Sequence, residues 1–481
     1  MANEISHGMP WDKMEEECGV IGIYGPGKDV ARLTYFGLHA LQHRGQESAG
    51  IAIGNGEDIQ FNKGMGLVTE AFNEHKLREM AGQVAIGHVR YSTTGSSLLA
   101  NAQPLVFRYL KGMMAVAHNG NLTNATEQRH NLAVTGAVFQ TTTDTEVIVN
   151  LLARYNQSSI EEGLMKTMID IKGSYSMLVM TEDRLLGVRD PHGVRPLCIG
   201  RLGDAYIFAS ESCALDTLGA EFVRDVEPGE IVVADKRGLT SIKSMIRAPR
   251  AMCIFEYIYF ARPDSNIDGI SVNRARRAMG RQLARECPID ADVVISVPDS
   301  GTAAAIGYAT ESGIPFEEGL MKNRYIGRTF IQPSQEMRSQ AVRLKLNPIV
   351  KAVEGKRVIL IDDSIVRGTT SGKIVQLLRQ AGAKEVHMLI SSPPITHPCY
   401  YGIDTSVRKE LIAATKTIEE IRQAIGADSL YYLSEEGLLN TMVDQRADLP
   451  AESYCTACFS GNYPIDVPQG VDKFTMEGCG C

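Results

Sequence analysis

The sequence contains no apolar run approaching the roughly 20 residues that a membrane-spanning helix requires, so no helical span is expected. It also lacks an excess of positive charge. Its 49 Lys and Arg stand against 57 Asp and Glu, for a net charge of −8 and a pI near 5.8. Proteins that bind nucleic acid by neutralising phosphates carry the opposite balance, so no broad nucleic-acid footprint is expected either. No low-complexity tract interrupts the chain. The opening MANEISHGMPWDKMEEE has no apolar h-region and is too acidic for a transit peptide. These absences describe a cytoplasmic protein with neither membrane nor nucleic acid as a partner.

What is present is an ordinary globular composition, 44% hydrophobic and 22% charged over 481 residues, long enough for two or three domains with separate cores. The ten cysteines call for an explanation. In a reducing compartment they are not expected to form a disulfide framework. Some should be ligands or nucleophiles, and the rest core packing.

The stretch VILIDDSIVRGTT, residues 358–370, organises the C-terminal half. Val358, Ile359, Leu360 and Ile361 suit a strand buried on both faces. Asp362 and Asp363 follow at its C-terminal end, where open α/β sheets place ligands. Ser364, Arg367, Gly368, Thr369 and Thr370 then open a helix continuing through Leu377 and Leu378. Its start offers unpaired N–H groups to phosphate. Adjacent acids before a phosphate cradle suit a phosphorylated sugar approached by Mg²⁺. Taken alone, an Asp-Asp pair is as readily an ordinary βα turn. The whole string, however, resembles the phosphoribosyl pyrophosphate (PRPP) loop of type I phosphoribosyltransferases, which implies that these seven residues bind PRPP.

Upstream, residues 270–286 read as a helix with Val272, Ala275, Met279 and Leu283 on one face, and 293–297 as a buried strand. The strand leads into Pro298-Asp299-Ser300-Gly301-Thr302. The amides and hydroxyls of Ser300, Gly301 and Thr302 suit pyrophosphate, and Ser300 could join Asp362 and Asp363 around Mg²⁺; a plain βα turn is the competing reading. Residues 322–345 carry Arg324, Arg328, Arg338, Arg343 and Lys345 without a clean period. They read as a solvated loop or as a lid closing on an anionic substrate, with Arg324, Arg328 and Lys345 as its cations. The phosphoribosyltransferase resemblance, over about 255–440, favours the lid.

In the N-terminal half, Cys18 precedes a strand-like run, GVIGIY. It reads either as a buried hydrophobe or, if residues 1–17 are a removed propeptide, as a nucleophile with its own α-amine as base. Four later strings follow: LQHRGQESAG, GHVRYSTTG, HNGNL and TDTE. With CGVIGIYG, and in this order, they resemble the glutaminase domain of N-terminal nucleophile amidotransferases over about 18–250. If glutamine is the ligand, Arg90 suits its α-carboxylate and Asp144 its α-ammonium. Asn119 and Gly120 then suit the oxyanion, while Arg44 belongs to the glutamine-binding set as a residue that orders the site. Taken singly, Arg90 could be a surface ion pair and Asn119-Gly120 a hairpin turn. The runs between 173 and 233 suggest the second sheet of an αββα sandwich. Cys198 and Cys213 read as core, Cys287 as core-facing or neutral, and no spacing supports a metal role for His192.

Together the halves resemble the glutamine PRPP amidotransferase family, with a boundary near 247–251. The expected organisation is a propeptide (1–17), a glutaminase domain (18–250), a doubly wound phosphoribosyltransferase domain (251–445) and a tail (446–481). Cys455-Thr456-Ala457-Cys458, by itself, fits redox, zinc or cluster chemistry. Resemblance to the family's iron–sulfur subgroup implies that Cys253, Cys399, Cys455 and Cys458 hold a [4Fe–4S] cluster; spacing leaves Zn²⁺ open. Cys479 and Cys481 fall outside that set. The resemblance further implies one Mg²⁺ and one cluster per subunit, a homotetramer, glutamine and PRPP as substrates and purine nucleotides as inhibitors. Two other readings compete. A sugar-phosphate amidotransferase would share the first half but not VILIDDSIVRGTT, and a non-catalytic PRPP or purine sensor would have no use for Cys18, Arg90, Asn119 and Asp144.

Overall fold

The computed structural model describes residues 18–91, 96–323, 346–403, 405 and 408–467. The expected propeptide, the lid residues Arg324, Arg328 and Lys345, and Cys479 and Cys481 lie outside the described residues.

Among the described residues, the N-terminal half holds two antiparallel sheets. The first runs, edge to edge, Glu221–Asp225, Cys198–Leu202, Ala205–Ala209, Gly19–Tyr24, Val84–Arg90, Ser48–Gly54 and Ile59–Met65. The second runs Gly238–Lys243, Glu230–Asp235, Leu185–Arg189, Gly173–Met180, Gly112–Leu122 and Leu105–Tyr109. Strand side chains alternate between faces with a period of two, and each face has a partner layer. Val20, Ala52, Ile86, Ala117, Leu178 and Phe208 meet between the sheets. Ile21, Ile23 and Val89 turn outward to helices Val30–Ala40 and Ser212–Leu218. On the far side, Met177 and Val179 pack with Val147, Leu151 and Leu164 of helices Thr145–Tyr155 and Ile160–Asp170. The result is a four-layer αββα sandwich.

One expectation needs correction here. The runs between 173 and 233 do not all form the second sheet: Cys198–Leu202 and Ala205–Ala209 cross to the first and pair through Ala209 with Ile21. A strand's sheet is decided by its long-range partner, which local alternation does not encode.

The C-terminal half is a parallel sheet ordered Val293–Ser296, Arg357–Asp362, Glu385–Ile390, Ser429–Tyr432. Ile359 and Ile361 face helices Val272–Glu286 and Thr302–Ser312, while Val358 and Leu360 face Thr369–Gln380 and Ile418–Ile425. Covering on both faces explains the unbroken apolar run. The first helix starts at Val272 rather than 270, because Ile270–Ser271 pairs with Asn266–Ile267 and Ser271 caps the helix through Arg274 N–H. Cys198 and Cys213 are buried in the first sheet's outer core, and Cys287 is partly buried.

Candidate active site

Cys18 lies at the mouth of the first sheet, immediately before Gly19–Tyr24, and its thiol donates to the Tyr91 carbonyl at 3.3 Å. Burial pushes the thiol up to about 12, with Arg90 pulling the other way. Glu47, Asp144 and Arg44 are also near enough to act on it electrostatically. Arg90 ends the adjoining strand Val84–Arg90, buried, with one guanidinium nitrogen on the Glu47 carboxylate and on the Ser96 carbonyl at 3.3 Å. The surface ion-pair reading of Arg90 therefore fails on burial.

Asn119 and Gly120 lie inside the long strand Gly112–Leu122, in register with Ser176 and Tyr175, so they are not a hairpin turn. Gly120 has φ +145°, and a Cβ there would stand 2.1 Å from the Ser174 carbonyl oxygen. Only glycine satisfies both demands. The Asn119 amide nitrogen is buried and has no hydrogen-bond partner among the described residues. A buried donor left unmade costs about 1–3 kcal/mol, so it marks a place where an acceptor is expected to arrive. Asp144 precedes helix Thr145–Tyr155, accepts the Leu122 N–H at 2.9 Å and faces His118 Nδ1 at 3.7 Å. Burial acts to raise its carboxyl, but His118 and these hydrogen bonds hold it below the usual range.

Arg44 is fully buried. Its Nε donates to Glu211, and its other nitrogens fork onto Glu256, across the domain boundary. Its donors face two carboxylates of the fold, in keeping with an ordering role.

At the second site, Asp362 and Asp363 are buried at the end of Arg357–Asp362. Asp362 Oδ1 accepts the Asp363 N–H at 2.9 Å, and Ser364 Oγ donates to Asp363 at 2.6 Å. Gly368, at φ +83°, turns the chain into helix Thr369–Gln380, whose first turn has no side-chain cap. Uncapped N–H groups are what phosphate needs. The neighbouring Ser300-Gly301-Thr302 turn packs against the same strand end: a Cβ on Gly301 would stand 2.5 Å from the Ile361 carbonyl oxygen. Thr302 and Ser296 hydroxyls are 3.1 Å apart. Arg367 is exposed and paired with Glu410, outside the buried acids. Thr370 is buried and Thr369 exposed.

Three distant segments bring four cysteines together. Met252–Cys253 pairs in parallel with Tyr454–Cys455, so the two cysteines are in register. The Cys458 carbonyl accepts the N–H groups of Thr396 and His397, two residues before Cys399. Cys253, Cys399 and Cys455 all interact electrostatically with Cys458. Arg195 acts on Cys253, Cys399 and Cys455, placing a buried cation beside the thiols. No three His, Cys, Asp or Glu among the described residues converge to hold a single metal ion.

Residues 88–217 match the family model of the glutamine amidotransferase domain, and 271–406 that of the phosphoribosyl transferase domain. Amidophosphoribosyltransferase of Bacillus subtilis is 52% identical over 457 residues, covering 95% of this chain and 96% of that protein. The chain belongs to the amidophosphoribosyltransferase family. The Archaeoglobus fulgidus amidophosphoribosyltransferase is 55% identical over 454 residues, 94% of this chain and 98% of its own. Two solved structures superpose with TM-scores of 0.91 and 0.89, each 52% identical and covering 95% of this chain and 99% of the other. One is described as the allosteric regulatory enzyme of purine biosynthesis, the other as B. subtilis glutamine PRPP amidotransferase with ADP and GMP. The two-domain fold expected for the amidophosphoribosyltransferase family is borne out.

Several residues of this amidophosphoribosyltransferase site escaped the sequence reading. His118 stands in the quoted HNGNL string beside Asp144, and its position before Asn119 was an available signal. Glu47 likewise stands in LQHRGQESAG, whereas Glu211, Glu256 and Arg195 had no such signal, because their partners are distant in sequence.

Proposed function

We propose that the chain is a glutamine-dependent amidophosphoribosyltransferase that opens de novo purine synthesis. The carrying observation is the unpartnered, buried Asn119 amide together with a buried Cys18 thiol on which both Arg90 and Asp144 act, in one chain with the tandem-acid loop at 362–363. Arg90 binds the α-carboxylate of glutamine and Asp144 its α-ammonium. The Cys18 sulfur attacks the side-chain carbonyl, and the oxyanion takes hydrogen bonds from Asn119 Nδ2 and the Gly120 N–H. The C–N bond breaks as the thiol proton is delivered to nitrogen, leaving ammonia and a Cys18 thioester that water hydrolyses to glutamate. A thiol raised to about 12 needs a base; the α-amine of Cys18 supplies it once residues 1–17 are removed. Ammonia then attacks C1 of PRPP with inversion, releasing pyrophosphate and 5-phospho-β-D-ribosylamine. Ser364, Gly368, Thr369 and Thr370 hold the 5-phosphate end, and Ser300, Gly301 and Thr302 the pyrophosphate.

Asp362, Asp363 and Ser300 would hold one Mg²⁺ per subunit, which when bound neutralises the leaving pyrophosphate. Cys253, Cys399, Cys455 and Cys458 would hold one [4Fe–4S] cluster per subunit. Four thiols from three segments, with Arg195 acting on three of them, suit a group that takes one thiolate per iron. Its role is to cross-link the 18–250 and 251–445 domains through the 446–481 tail, as neither half-reaction is a redox step. The proposal includes a cytoplasmic homotetramer inhibited by purine nucleotides. The ADP- and GMP-bound relative supports nucleotide control. The test is glutamate release from glutamine by anaerobically purified protein, with and without PRPP and Mg²⁺. Strong stimulation is expected, whereas equal rates would mean a different acceptor.

A further inference from the structure

The loop that follows Cys399 comes from the C-terminal half but rests on the oxyanion strand of the N-terminal half. The Tyr400 carbonyl accepts Asn121 Nδ2–H at 2.9 Å, and the Tyr401 carbonyl accepts Ser174 Oγ–H at 2.6 Å and Arg195 Nε–H at 3.0 Å. Asn121 follows Gly120 and pairs with Ser174, next to the Gly120–Tyr175 pair. Gly402, at φ +109°, completes the contact: a Cβ there would stand 3.3 Å from the Gly120 carbonyl carbon, 3.4 Å from its Cα and 2.8 Å from Arg195 Nη2. The loop is itself tied down, since Tyr401 N–H points to Cys399 Sγ at 3.4 Å and its hydroxyl donates to the Ile465 carbonyl at 2.5 Å.

We infer that Tyr400–Tyr401–Gly402 is a positioning element for the oxyanion donors, so that the C-terminal half sets how well the glutaminase site stabilises its tetrahedral intermediate. The inference rests on the assignment of Asn119 and Gly120 as those donors. The Gly120 backbone thus has both Ser174 and Gly402 close enough that an added methyl on Gly402 must displace a neighbour by a few tenths of an ångström. A displacement of a few tenths of an ångström at such donors acts on the transition state and spares ground-state binding through Arg90 and Asp144.

Gly402→Ala and Ser174→Ala test this, with Asn119→Ala as reference. Gly402→Ala is expected to lower kcat for glutamine hydrolysis about tenfold or more. KM for glutamine and the ammonia-dependent reaction with PRPP are expected to stay within about twofold. Ser174→Ala removes one hydrogen bond without adding an atom and should show the same split at smaller amplitude. Alkylation of Cys18 by iodoacetamide, followed by mass spectrometry, passes through no oxyanion and should keep its rate in both variants. An unchanged kcat, or a parallel fall in kcat, ammonia-dependent activity and alkylation, overturns the inference. If Gly402→Ala does not fold, Ser174→Ala decides by the same criteria. Full glutaminase activity in Asn119→Ala would instead remove the donor assignment, which separates that failure from failure of the positioning role.

Discussion

Cys18 combines a reactive atom with a setting that opposes its ionisation, and its function depends on what supplies the base. Cys18→Ala is expected to abolish glutamine-dependent ribosylamine formation while ammonia-dependent formation persists, as read by pyrophosphate release with each nitrogen source. Asp225 shows a different use of burial. Burial and the neighbouring Asp268 carboxylate raise it to about 7, against the pull of Arg189 and Arg250. Its folded pKa lies above the unfolded value near 4, so the folded state holds a proton that the unfolded chain has released. Stability therefore falls as pH rises from about 4 through about 7. Asp225→Asn should raise the melting temperature at pH 8, the gain shrinking toward pH 4, in paired scans across that range. Arg90 and Asp144 stand out in their motifs as candidate partners of a carboxylate and an ammonium, and the structure brings both within electrostatic reach of Cys18. Asp225 was illegible, because its pKa is made by residues from elsewhere in the chain.

Elements meet across the domain boundary through a buried charge cluster. Arg44 ends the short turn Gln42–Arg44, Glu211 immediately precedes helix Ser212–Leu218, and Glu256 opens the turn Glu256–Phe260. Removing the cation takes the forked partner from two buried carboxylates, leaving Glu211 to His43 and Ser265 and Glu256 to Arg195 at 3.6 Å, a loss of up to about 3–5 kcal/mol. Arg44→Ala should therefore unfold at markedly lower denaturant concentration, in urea titrations followed by fluorescence and circular dichroism. Arg44→Lys should recover little of the loss, because one ammonium cannot fork onto two carboxylates. The PRPP strand and helix were legible element by element, since a doubly covered strand writes an unbroken apolar run. The strand at Cys198–Leu202 was not, because its sheet is chosen by pairing with Ala205–Ala209 and through it Gly19–Tyr24.

At the scale of the whole molecule, the cysteine set joins the junction at Cys253, the loop at Cys399 and the tail at Cys455 and Cys458. Under the proposed [4Fe–4S] assignment, Cys458→Ser is expected to reduce iron and acid-labile sulfide below the four of each that such a cluster contains. The same change should lower the melting temperature of anaerobically prepared protein. Full retention of iron would remove Cys458 from the ligand set. The remaining core of the C-terminal half continues into this region, where Phe255, Phe459 and Tyr401 share one apolar cluster with Val194 of the N-terminal half.

The sequence by itself determined the two domain types, the order of the sites and the chemical class of each motif residue. Those properties depend on local strings: an acid pair after an apolar run, an Asn-Gly pair in HNGNL, a cysteine before a strand. Tertiary structure alone decided which sheet each strand joins, what neutralises Arg44, where the unpartnered Asn119 amide lies and which loop presses on Gly120. Each of these joins residues tens to hundreds of positions apart, and such contacts form only when packing brings their elements together.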